Sequence, residues 1–259
     1  MKKIIIVSGA SAGLGREFAL QVSRIRQADE IWLLARRADK LNETAQLINN
    51  EGKAHAKTFS VDISGTQGLK KFNALLQAQS DITIDTLVNN AGFGTYGPFM
   101  DTPIDRELEM IDLNVYSLTG ICAACIPLMQ KGSIIINVAS LASFIPLGNF
   151  AVYAATKAYV LSFSIALASE LEDQGIFVST LCPGPVDTEF ANVASNGARK
   201  KVVDGKSPQK VVSHCLKQIK RKKRIAIMHP KWKFKAFMSR FIGRYFFSRY
   251  TYLHEKRPS

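Results

Sequence analysis

Three residues near the middle of the chain have the types and spacing for proton chemistry: Ser140, Tyr153 and Lys157. Tyr153 and Lys157 stand four apart in a run that reads as a helix. Four residues make about one turn, so the phenol and the ammonium project on one side. A fixed cation beside a phenol favours the phenolate and lowers its pKa from a reference near 10. Tyr153 then becomes an acid usable near neutral pH. Ser140 closes an apolar strand-like run thirteen residues before Tyr153 and adds a second hydroxyl donor. Taken singly, each has a plainer reading: a helix-surface pair and a strand-end cap.

These groups need a scaffold that holds strand end and helix in register. The chain has 259 residues, 47% of them hydrophobic. That suffices for one large core and is too apolar for a disordered chain. Short apolar runs at 3–7, 30–35, 54–61, 84–89, 132–139 and 176–182 alternate with helical patterns at 13–26, 38–52, 67–79 and 105–129, the last bent or broken near Pro127. The helix carrying Tyr153 is expected to run to about residue 173. Ser207-Pro208 is a helix start, N-cap then N1, leading to about residue 222 and a last strand at 224–228. Continuous apolar strands between helices indicate a parallel sheet buried on both faces. Right-handed crossovers make it doubly wound, with about seven strands. Residues 1–230 are expected to form one domain, and 231–259 a basic amphipathic helix or tail.

The first strand runs directly into Ser8-Gly9-Ala10-Ser11-Ala12-Gly13-Leu14-Gly15. Gly9, Gly13 and Gly15 permit a tight strand-to-helix turn and close backbone approach to a phosphate. The helix beyond opens at Gly13-Leu14 and offers free N–H groups and a positive dipole end. Glycine spacing alone is a weak signal; its place at the first strand–helix junction makes it a dinucleotide site. The end of the second strand distinguishes the two nicotinamide cofactors, because an acid there accepts a ribose 2′-OH and a base holds a 2′-phosphate. The sequence has Arg36 and Arg37 and no acid, which favours NADP(H). Arg16 adds to the same field. The plain alternative is a solvated basic loop.

With these residues in place, the chain resembles the short-chain dehydrogenase/reductase superfamily in its roughly 250-residue, NADP(H)-preferring form. The resemblance covers about residues 3–189. It rests on the glycine turn, Val61-Asp62-Ile63, Asn89-Asn90-Ala91-Gly92, Asn114, Ser140, Tyr153-x-x-x-Lys157 and Pro183-Gly184, in that order. It implies a Rossmann-like fold with helices on both faces and a set of roles. Asp62 and Ile63 would meet the adenine, and Asn90, Ala91 and Gly92 the cofactor cleft. Ser140 would polarise a carbonyl and Tyr153 donate the proton. Lys157 would hold the nicotinamide ribose, anchored through a water by Asn114. Pro183, Gly184, Val186 and Thr188 would frame the nicotinamide. Ser8 stands where threonine is commoner, and Ala12 where serine or a basic residue is. No metal is implied. Long helices of this family often pair between subunits, so a homo-oligomer is expected.

Independently of the resemblance, hydride addition to a carbonyl builds an alkoxide that needs donors and a proton, which Ser140 and Tyr153 supply. The resemblance also implies that substrate contacts come from loops at the carboxyl ends of the strands, here 93–99, 141–150 and 189–206. They carry Phe93, Tyr96, Phe99, Phe144, Ile145, Leu147 and Phe150, an apolar set suited to an apolar ketone or aldehyde, though several of them are expected to pack on the protein itself.

The formal net charge of +13 is uneven. From Lys217 onward there are fourteen Lys or Arg and one acid, Glu255. Residues 231–250 read as one basic, aromatic helix with Phe234, Phe237, Met238, Phe241, Ile242 and Tyr245 on one face. That face either packs on the body or a second subunit, or lies on an anionic membrane surface; no recognition motif supports nucleic acid. Cys122 and Cys125 form a CAAC, either a redox pair or, better, two small buried residues. Nothing suggests a disulfide framework, a signal peptide or a run long and apolar enough to cross a bilayer, so a cytoplasmic protein is expected, with peripheral membrane contact as the variant. Competing readings from other classes are a dinucleotide-sensing scaffold without catalysis and a membrane-surface protein acting through its tail.

Overall fold

A computed structural model describes residues 1–51, 54–199, 202 and 204–255. Strand β1 (Lys2–Ser8) opens the chain and is joined by β2 (Glu30–Ala35), β3 (His55–Ser60), β4 (Ile82–Asn89), β5 (Met129–Val138), β6 (Phe177–Leu181) and β7 (Ile225–Ala226). All seven are parallel, in the order β3-β2-β1-β4-β5-β6-β7. Side chains alternate across a strand, so Ile4 and Ile6 enter one core while Ile5 and Val7 enter the other. Two buried faces explain why Ile4–Val7 of β1 is apolar without interruption. The strand order reverses between β1 and β4, which opens a crevice at their carboxyl ends.

The covering helices are α1 (Gly13–Ile25), α2 (Ala38–Glu51), α3 (Gly65–Gln77), α4 (Ile104–Ile111), α5 (Leu118–Cys125), α6 (Ala151–Glu170), α7 (Phe190–Ala194) and α8 (Pro208–Lys220). The end expected for α2 at Gly52 lies outside the described residues, as do 200, 201 and 203 of the 189–206 loop and 256–259 of the tail. Ser207 caps α8 by accepting from the Lys210 amide, with Pro208 in its first turn.

Several boundaries differ from expectation. Between α4 and α5 the segment Asp112–Ser117 is π-helical, and Pro127 sits in a closing 3-10 turn, Ile126–Leu128. Proline cannot continue the donor ladder, so the chain passes straight into β5 at Met129 rather than at Gly132. Met129 pairs with Ile84, and the register slips before Thr86. The helix of Tyr153 stops at Glu170 rather than near residue 173.

Two helical rods, Ile104–Leu128 and Ala151–Glu170, are in fact long and apolar enough to cross a membrane, contrary to the sequence expectation. Here they lie against the sheet and carry Asn114, Tyr153 and Lys157, all buried. All four cysteines are free and buried. Burial pushes the Cys122 thiol up to about 12 and Cys125 well above its ordinary value, so CAAC is packing rather than a redox pair.

The expected single C-terminal helix is two: α9 (Pro230–Met238) and α10 (Arg244–His254). His229 caps α9 by accepting from the Lys231 amide at 3.2 Å. The break falls between Ser239, whose hydroxyl donates to the Ala236 carbonyl, and Gly243, where helical order costs the most backbone entropy. Of the alternatives for the apolar face, packing on the body is not what the described residues show. Phe234, Phe237, Phe241 and Tyr245 are exposed, and the docked side of α9 is Trp232 and Ala236.

Candidate active site

The crevice between β1 and β4 is stapled by Ser8. Its hydroxyl accepts from the Asn90 and Ala91 amides, both at 3.0 Å, and Asn90 Nδ2 donates to the Ser8 carbonyl at 3.1 Å. A hydroxyl at this position therefore ties the two strand ends together, with serine doing what threonine would. Gly9 has φ +67°, and a Cβ there would lie 2.6 Å from Asn90 Nδ2. A Cβ on Gly15 would overlap the Gly9 carbonyl oxygen. Gly13 (φ +54°) lies against Thr188. The three glycines let α1 begin directly on the turn. Ala12 at its N-cap offers no side-chain acceptor, so the first-turn amides face the crevice uncapped by a side chain. Leu14 packs behind the turn in the core.

Arg37 donates to Ser11 Oγ at 3.3 Å and pairs with Glu189 at 2.9 Å. Arg36 stands 4.0 Å from Asp62. Arg37 is thus at the glycine turn, whereas Arg36 faces the loop after β3, and each faces a carboxylate; Glu189 is a site residue that sequence reasoning did not single out. Asp62 accepts from the Ser64 amide at 2.9 Å, while Ile63 is buried against Gly68.

At the neighbouring strand ends the proton-handling groups come together. Asn114 lies in the π-helical segment. Its Nδ2 donates to the Phe93 carbonyl (2.9 Å) and Thr156 Oγ1 (3.1 Å), and its Oδ1 accepts from the Phe93 amide (3.1 Å). The widened turn aims this side chain inward, a common use of π-bulges at sites. Gly92 leaves the gap: a Cβ there would lie 2.7 Å from Asn114 Oδ1 and 3.4 Å from Lys157 Nζ. Lys157 is 5% exposed and donates to the Val138 carbonyl at 2.9 Å. Burial pushes its pKa from the ordinary 10.5 down to about 8. Its Nζ lies 5.8 Å from the centre of the Tyr153 ring.

Tyr153 is held between two rings, stacked on Phe150 at 4.1 Å and tilted against Phe190 at 5.4 Å. Ser140 is the N-cap of a 3-10 turn, Leu141–Phe144. Its Oγ accepts from the Ala142 amide at 3.1 Å, which leaves its own proton free to donate. The turn is pinned to α6 by Ser143 Oγ, which donates to the Lys157 carbonyl at 2.7 Å. Leu141 N reaches the Pro183 carbonyl at 2.9 Å, joining the turn to the loop after β6. In that loop Val186 bridges Lys206, and Gly184 lies under the Trp232 indole, 2.5 Å from where a Cβ would sit.

Of the expected substrate wall, Phe93, Tyr96, Leu147 and Phe150 gather around Tyr153, joined by Met110 and Phe190. Phe144 instead packs on the main core, and Phe99 is exposed. Trp232 and Phe190 were missed in the sequence because nothing local tells a ring aimed at the site from one aimed at the core.

A glycine turn at a strand-order reversal, beside a buried Tyr-Lys pair, defines a dinucleotide-linked oxidoreductase site. The chain belongs to the short-chain dehydrogenase family, whose pattern matches residues 3–199. It is 33% identical over 180 residues to a very-long-chain 3-oxoacyl-CoA reductase of Coprinopsis cinerea, covering 68% of this chain and 52% of that protein. It is 29% identical over 249 residues to the probable oxidoreductase EphD of Mycobacterium tuberculosis, covering 88% of this chain. The chain spans only 41% of that relative's length. Among solved structures, a short-chain dehydrogenase of Sphingobium yanoikuyae in complex with NADPH superposes with TM-score 0.79 at 25% identity, covering 92% of this chain and 93% of that one.

Proposed function

We propose that the protein is an NADPH-dependent reductase that converts the carbonyl of an apolar ketone or aldehyde to an alcohol. The observation that carries this reading is the buried Tyr153 phenol, clamped by Phe150 and Phe190 and backed by Lys157. The uncapped start of α1 and the glycine turn would hold the pyrophosphate, with Arg36 and Arg37 at the 2′-phosphate. The nicotinamide supplies the hydride when bound. Tyr153 gives its proton to the oxygen that becomes negative, Ser140 donates a second hydrogen bond there, and Lys157 keeps the phenol's proton labile. Asn114 orients Thr156 and the Phe93 backbone around this pair. The similarity to an NADPH-bound dehydrogenase and to a 3-oxoacyl-CoA reductase supports the cofactor and an acyl-like carbonyl substrate. For assembly, α4 and α6 leave Ile104, Leu108, Ile111, Tyr159 and Ile165 exposed, which supports pairing between subunits.

NADPH oxidation over a panel of ketones and aldehydes tests the reading, with Tyr153→Phe as comparison. Turnover lost in the variant with NADPH binding retained is the expected result. NADPH binding without turnover of any carbonyl by the unmutated protein would favour the sensor reading. Exchange of Arg36 and Arg37 for Ala should erase any preference for NADPH over NADH; indifference would remove the 2′-phosphate assignment.

A further inference from the structure

The α9–α10 pair leaves an aromatic surface that no part of the described chain covers. Phe234, Phe237, Phe241, Tyr245 and Phe246 are all more than half exposed. They cannot turn inward, because the pair is docked by other residues. Trp232 and Ala236 are buried under α9, and Thr251 is 1% exposed under α10. Thr251 Oγ1 accepts from the Gly148 amide at 2.9 Å, and Asn149 Nδ2 donates to the Tyr252 carbonyl at 3.0 Å.

Charge complementarity indicates what covers this face. Residues 1–216 carry as many acids as bases, so the whole excess of +13 belongs to residues 217–259. Lys233, Lys235, Arg240, Arg244 and Arg249 are exposed, and among the described residues none of them enters an ion pair. The cations alternate with rings: Lys233-Phe234-Lys235, Arg244-Tyr245-Phe246 and Arg249-Tyr250. A second copy of this face would set like charge against like. A bilayer with anionic headgroups accepts both kinds of side chain, rings at the acyl boundary and cations at the phosphates.

We infer that α9 and α10 form a dock for an anionic phospholipid surface, placed beside the mouth of the catalytic site. The dock holds Gly148 and Asn149, which lie between Ser140 and Tyr153 in the chain, and presses Trp232 on Gly184. A cleft of about 600 Å³ lies between residues 239–244 and Ser143-Phe144, in the 3-10 turn that Ser140 caps. Resting on the reductase reading above, the substrate is then a membrane-dissolved long-chain carbonyl delivered from the bilayer.

Sedimentation of the full chain with vesicles tests the dock without any turnover. Phosphatidylcholine vesicles alone should leave it in solution, and vesicles containing phosphatidylglycerol should carry it down at low salt. The double change Phe237→Ser and Phe241→Ser, at exposed positions, should weaken this at least roughly tenfold while leaving NADPH binding and melting temperature unchanged. Lys233→Glu with Arg240→Glu should weaken it further, by roughly fivefold or more per residue. Turnover of a long-chain carbonyl should be stimulated by anionic vesicles in the unmutated chain and not in the Phe pair, whereas a soluble ketone should be reduced equally by both. No binding to anionic vesicles, equal binding to neutral ones, binding indifferent to the Phe pair, or a dimer dissolved by the Phe pair would each overturn the dock. Vesicle binding without reduction of any carbonyl would leave the dock standing and remove the substrate assignment.

Discussion

Replacing Lys157 by Met should stabilise the cofactor-free protein while abolishing its chemistry. Lys157 Nζ is buried with a backbone carbonyl as its hydrogen-bond acceptor, and burial holds its pKa near 8 instead of 10.5. Keeping the ammonium charged in that place therefore costs about 3 kcal/mol at pH 7. Met has a similar shape and no charge, but strands the Val138 carbonyl, a loss of about 1–2 kcal/mol. The net gain is about 1–2 kcal/mol, or roughly 2–8 °C in melting temperature for a chain of this size. The sign of the pH dependence follows from linkage. Between about 8 and 10.5 the unfolded chain binds the proton that the folded chain has lost, so wild-type stability rises through that window. The advantage of Lys157→Met is thus full below about pH 8, crosses zero within the window, and above about 10.5 becomes a deficit of about 1–2 kcal/mol, the stranded Val138 carbonyl alone remaining. Thermal melts of both proteins at neutral and alkaline pH read this directly. A variant melting at or below the wild type at neutral pH, or a gap that does not close with rising pH, would refute the account of a cation stored at a stability cost for function.

Two further outcomes follow from the packing. Gly15→Ala should weaken NADPH binding at least roughly tenfold, since its Cβ overlaps the Gly9 carbonyl and must push the turn apart; nicotinamide fluorescence titration reads it. Glu30→Gln should cost about 2 kcal/mol at neutral pH. Burial by itself would raise the Glu30 pKa, but hydrogen bonds from Lys57, Trp32 and Lys2 outweigh it and bring it to about 2 from 4.5. The figure is discounted because both lysines are partly solvated. That stability is present above about 4.5 and lost as pH falls through 2, so acid melts of the two proteins should converge there.

Much of the scaffold was legible because its signals are local. An uninterrupted apolar run such as Ile4–Val7 has no solvated face to offer, so a strand covered on both sides follows from it. Ser207-Pro208 starts a helix wherever it is placed. The misjudged boundaries were those where neighbours overrule local preference. Met129 joins β5 because Ile84 is there to pair with it, and the C-terminal helix breaks because Trp232 and Thr251 dock on different parts of the body. The apolar rods at 104–128 and 151–170 pass for membrane spans by composition alone; only the tertiary structure packs one side of each on the protein, with 33% of the first and 50% of the second buried.

By itself the sequence determined the order of the parts: a glycine turn after the first strand, basic residues after the second, Asn114, Ser140, then Tyr153 and Lys157 one turn apart. Each of these is a constraint between residues close in the chain, where backbone geometry alone sets the spacing. Only the tertiary structure decided that Ser8 ties β1 to β4, that Glu189 faces Arg37, that Phe190 closes over Tyr153 and that Trp232 lies on Gly184. Such contacts join residues far apart in the chain, and the direction in which a side chain points is set by what surrounds it, which no local pattern encodes.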